Sequence, residues 1–462
     1  MKLQFFNSYS RKKENFLPIN NNKIGLYTCG PTVYDFSHIG NFRTFVFEDI
    51  LKRWLIHLGY DVNHIMNITD VDDKTIKKAK KEGVELKVLT ERYTSFFIED
   101  LKWLKIKPAN KYPRATDYIE EMKNIIQILI NKKFAYAEKD GSVYFDIKSF
   151  PKYGILTNLK INKKEKAIRT KNDEYEKESI HDFALWKGWK EEDGEVVWDA
   201  PWGKGRPGWH IECSAMSCEN LGNHFDIHCG GVDNIFPHHE NEIAQSICST
   251  GSKFVNYWLH SEFLLINGSK MSKSLGNFYT LRDLRKKGFS PETIRFQLSS
   301  GHYRTKISFS INKKHESDKI VNRVNEFHTL LIKNGAINLK GKSLPRDYDS
   351  FKAAMNDDLN TPRAIAIFLK WMKNSSKTIK SSSKDSREII SAWNFLMIFN
   401  SIFCFIYSKE ILYPEKIKIL LSQREKARKE KKWDYADLIR NTIKEEGWLV
   451  EDTEDGQKLK RI

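Results

Sequence analysis

The 462-residue chain carries 77 Lys and Arg against 60 Asp and Glu, a formal net charge of +17. A chain of this length can bury a large apolar core without covalent staples and has room for about two to four domains. The basic excess favours a polyanionic partner, nucleic acid before a membrane surface.

Cysteine usage narrows the class. Six cysteines (Cys29, Cys213, Cys218, Cys229, Cys248 and Cys404) are too sparse for a disulfide framework, and four of them cluster beside several histidines. That pattern fits a reducing compartment and a metal site. The opening Met1-Lys2-Leu3-Gln4-Phe5-Phe6 turns polar too soon for a secretory signal, and the apolar run from Phe395 to Tyr407 is interrupted by Asn400 and Ser401. A cytoplasmic protein that does not engage a membrane is expected.

In chain order, Ile24 to Thr28 reads as a strand. Phe42, Phe45, Val46, Ile50, Leu51, Trp54, Leu55 and Leu58 then recur at helical spacing until Gly59, and Val62 to Ile68 reads as a second strand. This βαβ unit implies a parallel sheet with ligands at the carboxyl ends of its strands, where Cys29 and the loop through Asn41 fall. The polar stretch from about Pro151 to Glu195, with Lys160, Lys163, Lys164, Lys166, Arg169 and Lys171 close together, reads as an insertion between two halves of one sheet. Residues 319–407 look mostly helical, broken by a Ser/Lys-rich surface loop from Asn374 to Ser386. Beyond Tyr413-Pro414 lies a small basic tail with its own aromatics, Trp433 and Trp448.

Two strings suggest phosphate chemistry. The first, Cys29-Gly30-Pro31-Thr32-Val33-Tyr34-Asp35-Phe36-Ser37-His38-Ile39-Gly40-Asn41, lies between a strand end and a helix start. Free backbone N–H groups and the helix dipole attract anions there, and Gly40 admits a ligand close to the backbone. The second, Lys270-Met271-Ser272-Lys273-Ser274 between Gly268 and Gly276, is a loop with two cations that can close over a triphosphate as pyrophosphate departs. Alone, each is better explained by a ligand-free loop histidine or a solvated Lys/Ser loop. In this order on a βαβ background, the pair resembles the paired signatures of class I aminoacyl-tRNA synthetases. The resemblance implies that His38, Gly40 and Asn41 bind ATP phosphates and that Lys270 and Lys273 stabilise the transition state of adenylate formation. Asn41 stands where that signature often has His, but an amide still donates a hydrogen bond.

A third cluster concerns a metal. Gly205-Arg206-Pro207-Gly208-Trp209-His210-Ile211-Glu212-Cys213 is followed by Asn223 to His228, Gly230-Gly231-Val232-Asp233 and Phe236-Pro237-His238-His239-Glu240-Asn241-Glu242. Pro237 suits a first helical turn, so His238 and Glu242, four apart, would share a face. Thiolates from Cys213 and Cys29 would complete a Cys₂HisGlu set suited to zinc, although spacing leaves Cys218 and His239 open as alternatives.

These runs, with Asn67 to Lys74, Gly301-His302-Tyr303-Arg304 and Asp357 to Pro362, resemble the cysteinyl-tRNA synthetase family across nearly the whole chain. The resemblance implies one Zn²⁺ on Cys29, Cys213, His238 and Glu242, where it binds the substrate's sulfur and rejects serine. Zinc lowers a thiol's pKa from about 8.5 far more readily than it ionises a hydroxyl. The resemblance also implies Thr32 and Trp209 near the amino acid, and Gly231 with Asp233 near the adenosine ribose. In the tail it implies an anticodon-reading unit with Arg428, Trp433, Asp437 and Asp452, where stacking and hydrogen bonds read splayed bases. Cys229, where the family usually has glycine, is expected to be a bystander.

The expected fold is α/β. A split Rossmann-like parallel-sheet catalytic domain (1–115 and 201–260) is interrupted by a connective insertion (116–200). A region with the Lys-Met-Ser-Lys-Ser loop and stem contacts (261–318), a helical bundle (319–410) and an anticodon-binding domain (411–462) follow. The implied partners are L-cysteine, ATP with Mg²⁺, and tRNA(Cys), acting on a monomer. Two other readings are a zinc-dependent ligase joining cysteine to glucosamine-inositol in mycothiol synthesis, which has no use for the basic tail, and a silent tRNA-binding paralogue, which leaves the intact motifs unexplained. A zincin-like string beginning at His239-Glu240 fails because Ile243 takes the place of its second histidine.

Overall fold

The computed structural model describes residues 2–158, 168–170, 181–271, 276–381, 386–407, 415–453 and 456–461. The chain divides into two compact units, residues 1–406 and 407–462.

In the first unit, β1 (Lys23–Thr28), α1 (Ile39–His57) and β2 (Asp61–Met66) form the expected βαβ unit. Far along the chain, α2 (Trp209–Leu221), β3 (Phe225–Gly231), α3 (Glu240–Thr250) and β4 (Val255–Ser261) form the other half. The strands lie in the order β4-β3-β1-β2, every neighbouring pair parallel. Thr28 stands beside both Cys229 and Met66, so the carboxyl ends line up and deliver the residues that follow them to one edge.

Both faces of this sheet are covered, as an all-parallel sheet requires. Ile24 and Leu26 enter the core beneath α1, whereas Tyr27 enters the one beneath α2 and α3. Helix α1 begins at Ile39, three residues before the apolar spacing suggested, because His38 caps it. Strand β2 stops at Met66, and Ile68 pairs instead with Arg114. Asn67 turns its Oδ1 to accept from Gly30 N–H at 2.8 Å.

The insertion is a folded layer. Ala135–Ala137, Val143–Phe145, His181–Gly188 and Ile168–Thr170 lie side by side, with Gly205–Pro207 also paired to His181–Gly188. Arg169 falls in one of these strands, while Lys160, Lys163, Lys164, Lys166 and Lys171 lie outside the described residues.

Helices Lys314–Lys333, Asp347–Asn356, Thr361–Ser381 and Ser386–Phe403 make the expected bundle. The loop expected from Asn374 is instead helix through Ser381. The segment holds no Gly or Pro, and Ile379 still packs on the core, so Lys and Ser simply occupy its outer face. The strings at Gly301–Arg304 and Asp357–Pro362 meet at Asp358, which is fully buried and accepts from Tyr303 Oη at 2.6 Å, Arg304 Nε at 2.7 Å and Phe6 N–H at 2.8 Å.

The second unit holds helices Glu415–Lys429 and Trp433–Glu445 and an antiparallel pair, Trp448–Thr453 with Gly456–Arg461. Its core is Ile417, Ile439, Ile443, Val450 and Leu459.

Candidate active site and metal centre

His38 closes the N-terminus of α1 reciprocally with Asn41. The Asn41 backbone N–H donates to His38 Nδ1 at 3.2 Å, and the His38 N–H donates to Asn41 Oδ1 at 3.0 Å. Asn41 thus does a structural job here, holding one edge of the His38 ring. The segment after the second motif braces the same turn. Ile39 N–H donates to Tyr279 O at 2.8 Å, and Phe278 meets the His38 ring edge-on with centroids 5.2 Å apart. A Cβ on Gly40 would stand 2.9 Å from the imidazole and 3.0 Å from the Met271 methyl, so this close approach needs glycine. Lys270 ends the short strand Ser269–Lys270, but its side chain, like all of Lys273, lies outside the described residues.

At the same edge of the sheet, Cys29, Cys213, His238 and Glu242 bring one donor atom each within 4.8 Å of one another. An overlapping set replaces Cys213 and His238 with His228 and His239. Cys29 follows β1, Cys213 sits in the buried second turn of α2, and Glu242 lies in the first turn of α3. Pro237 opens a helical turn as expected, directly after the kink at the non-helical Phe236, and the turn runs on through His239 into α3 at Glu240. His238 and Glu242 therefore share a face, and His238 Nε2 reaches Glu242 Oε1 at 3.1 Å. Cys218, left open by spacing, belongs to neither set, and burial pushes its thiol up to about 12.

The fit to a divalent cation is electrostatic as well as geometric. Zinc bonds of about 2.0–2.3 Å place tetrahedral ligands about 3.3–3.8 Å apart, which donors this close can meet. Glu242 is fully buried and its Oε1, although 3.1 Å from His238 Nε2, accepts no well-aligned hydrogen bond, so a cation would satisfy it. Burial, then the charge of Cys213, drives the Glu242 carboxyl well above its usual range. Burial opposes ionisation of Cys213, but the hydrogen bond from Cys29 and the charge of His238 outweigh it and pull that thiol down, whereas the bond to Cys213, then burial, pushes Cys29 up. Burial also pushes His228 and His260 down to about 3, so the surrounding imidazoles are neutral and free to act as donors or ligands.

Trp209 is half-buried rather than plain core, stacked on His238 with centroids 4.3 Å apart at 29°. Thr32 pairs with Thr69, whose Oγ1 donates to the buried Glu212 Oε2 at 3.1 Å. Gly231 and Asp233 sit together at the end of β3. Cys229 points into the α1 core, away from the histidines. Sequence reasoning named His228 only as the end of a run, with no role, and passed over His260; the available signal was a histidine at a buried strand position. Gly230 makes room for His239, whose ring would stand 2.7 Å from a Cβ there.

In the second unit, Arg428 bridges to Asp452 at 3.0 Å and lies over the Trp433 ring at 5.8 Å. Trp433 is 55% exposed and Asp437, one turn further on, is exposed too. Asp452 is also held by Arg424 at 2.9 Å, which draws its carboxyl below the usual range.

Known proteins resemble the chain over its whole length. The family described as the tRNA synthetases class I (C) catalytic domain matches residues 15–319, a DALR domain matches 350–406, and a cysteinyl-tRNA ligase anticodon binding domain matches 413–459. A cysteine–tRNA ligase of Brachyspira hyodysenteriae is 47% identical over 99% of both chains. The chain belongs to the cysteinyl-tRNA synthetase family. Another member, from Chlamydia trachomatis, is 43% identical over the full length of both chains. Among solved structures, a Mycobacterium tuberculosis methionyl-tRNA synthetase with methionyl-adenylate superposes with a TM-score of 0.60 at 14% identity, covering 83% of this chain and 92% of that one. A putative arginyl-tRNA synthetase from Campylobacter jejuni gives 0.55 at 15%, covering 84% and 94%. These two share the class I fold, as expected from the paired signatures. No helix among the described residues is long and apolar enough to cross a membrane.

Proposed function

We propose that the chain joins L-cysteine to the terminal ribose of tRNA(Cys) in two steps, by way of cysteinyl-adenylate. The observation that carries this is the cluster of half-buried Cys29 with buried Cys213, His238 and Glu242, at the carboxyl edge of the sheet in a member of this family. Those four side chains would hold Zn²⁺, which when bound supplies a soft Lewis acid that favours a thiolate over a hydroxyl. Trp209, stacked on His238, walls the amino-acid pocket, and Thr32 lies across it. A pocket with so strong a bond to sulfur needs no editing site.

Activation needs no nucleophile from the protein, because the cysteine carboxylate attacks the α-phosphorus of ATP. The His38 ring and the Gly40 N–H at the start of α1 receive phosphate oxygens, with Gly40 keeping that surface open and Asn41 holding the ring. Gly231 and Asp233 take the ribose, and Lys270 and Lys273 neutralise charge as Mg²⁺-pyrophosphate leaves. In the second unit Trp433 stacks on a splayed base, with Arg428, Asp437 and Asp452 at its edges. We assign residues 411–462 to the anticodon and 319–410 to the supporting bundle. Residues 261–318 contact the acceptor stem, and the 116–200 insertion divides the catalytic halves, 1–115 and 201–260. A cytoplasmic monomer is the proposed state.

The test is ATP-dependent attachment of labelled cysteine to total tRNA with serine in excess, following pyrophosphate in the same tubes. Charging that survives serine supports the reading. Pyrophosphate release without charging would point to a small-amine acceptor, and neither signal from zinc-replete protein would overturn catalysis altogether.

A further inference from the structure

Two donor sets share Cys29 and Glu242, and one ion cannot use both. The difference between them is the state of His239. As a ligand it must offer the Nε2 lone pair to the metal. As a neighbour it must carry a proton on Nε2 and donate it. Its Nε2 lies 3.3 Å from Cys29 Sγ and 3.9 Å from Glu242 Oε1, two groups that become pure acceptors once deprotonated for a metal.

The other face of the ring leads away from the site. His239 Nδ1 lies 2.7 Å from His260 Nε2, and His260 Nδ1 lies 2.8 Å from Ser8 Oγ. Both imidazoles are buried, His239 fully and His260 at 3% exposure. Each has one proton to share between two partners, so the polarity of one bond dictates the next. Ser8 is held for this contact. Its backbone N–H donates to Trp258 O at 2.9 Å, and the preceding Asn7 side chain is bonded to the Asn256 carbonyl at 2.8 Å and the Trp258 N–H at 3.0 Å.

We propose that Ser8, His260 and His239 form a one-way hydrogen-bond chain that ends on Cys29 and so commits the metal to Cys213 and His238 rather than to His228 and His239. Ser8 O–H donates to His260 Nδ1, His260 Nε2–H donates to His239 Nδ1, and His239 Nε2–H donates to the Cys29 sulfur. With its Nε2 lone pair gone, His239 cannot bind a cation, and it steadies the thiolate of the set that does. Ser8, His260 and His239 are positioning residues, acting on the metal through Cys29. The inference rests on the zinc reading above and adds to it the reason for the choice of set.

Ring-nitrogen NMR of zinc-loaded, [¹⁵N]histidine-labelled protein reads the polarity directly, with the two rings assigned through His239→Asn and His260→Asn. Both rings should be protonated on Nε2 and bare on Nδ1. Ser8→Ala should shift His260 toward the Nδ1–H tautomer and weaken zinc about tenfold in competition with a chelator, whereas Ser8→Thr, which keeps the hydroxyl, should restore both. Protonation on Nδ1 in the wild type, or rings and zinc affinity indifferent to Ser8→Ala, overturns the chain. Cys213→Ser separates the two ideas. Zinc retained there overturns the ligand set and the selection with it, while zinc lost there beside Ser8-insensitive rings overturns the chain alone.

Discussion

The Met271 methyl lies 3.0 Å from where a Cβ on Gly40 would stand, so the second motif packs on the first at the mouth of α1. The same Cβ would press on the His38 ring. Gly40→Ala adds helix propensity but displaces His38, so its melting temperature should hold or rise slightly. Its kcat for cysteine-dependent ATP–pyrophosphate exchange should fall about tenfold, which corresponds to about 1.4 kcal/mol. Unchanged exchange would show that the turn has slack.

Cys213 is the one sulfur of the cluster carried by a helix. Cys213→Ser is expected to lower bound zinc, measured by atomic absorption, and cysteine activation together, each by at least tenfold. Full zinc with full activation would remove Cys213 from the site.

His64 supplies a pH test of folding stability. Burial, aided by Lys52, pushes its imidazole down to about 3, while its Nε2 pairs with Thr28 Oγ1 at 2.9 Å. Above the ordinary histidine pKa both folded and unfolded states are neutral and stability is flat. Below it only the unfolded chain takes the proton, so stability is lost as pH falls from about 6.5 toward 3, by about 1.4 kcal/mol per unit. Between pH 7 and 5 this one group should cost about 2 kcal/mol. Urea midpoints at the two pH values should lie closer together in His64→Gln than in the wild type, and an equal spacing would contradict the assignment.

Trp433 is exposed, whereas Arg424 is 1% exposed and tied to Asp452. Trp433→Ala should leave the melting profile alone and raise KM for tRNA by about 5- to 150-fold, the equivalent of one lost base stack. Asp452→Ala should instead destabilise the tail by about 1–3 kcal/mol by leaving a buried guanidinium short of its partner. Identical effects of the two substitutions on melting would argue against this division.

Truncation at about residue 410 removes nearly all of the second unit and no part of the described metal cluster. Charging of tRNA should fall far more than adenylate formation. Equal loss of both would mean that the tail is needed for the catalytic fold.

The sequence alone determined the class of the protein and singled out the residues proposed for its chemistry. Strand-helix-strand patterning around Cys29 and His38, and the placing of Lys270 and Cys213 far downstream, are local signals read from spacing and residue type. It also carried the βαβ unit, the late bundle and the separate basic tail, because apolar periodicity reports which faces must be buried. Tertiary structure decided what depends on distant pieces of chain meeting. Strand order brings Cys29 beside β3, which is how the donor sets include Cys213 and not Cys218, and how the strand residues His228 and His260 come to lie beside the site. It also engaged Asn41 in a cap, carried a Ser/Lys-rich segment on as helix to Ser381, and set Asp452 against Arg424. Spacing along a chain constrains neighbours within a few residues, whereas the contacts of Ser8 with His260, or Met271 with Gly40, are set by how whole elements pack, and no local pattern encodes that.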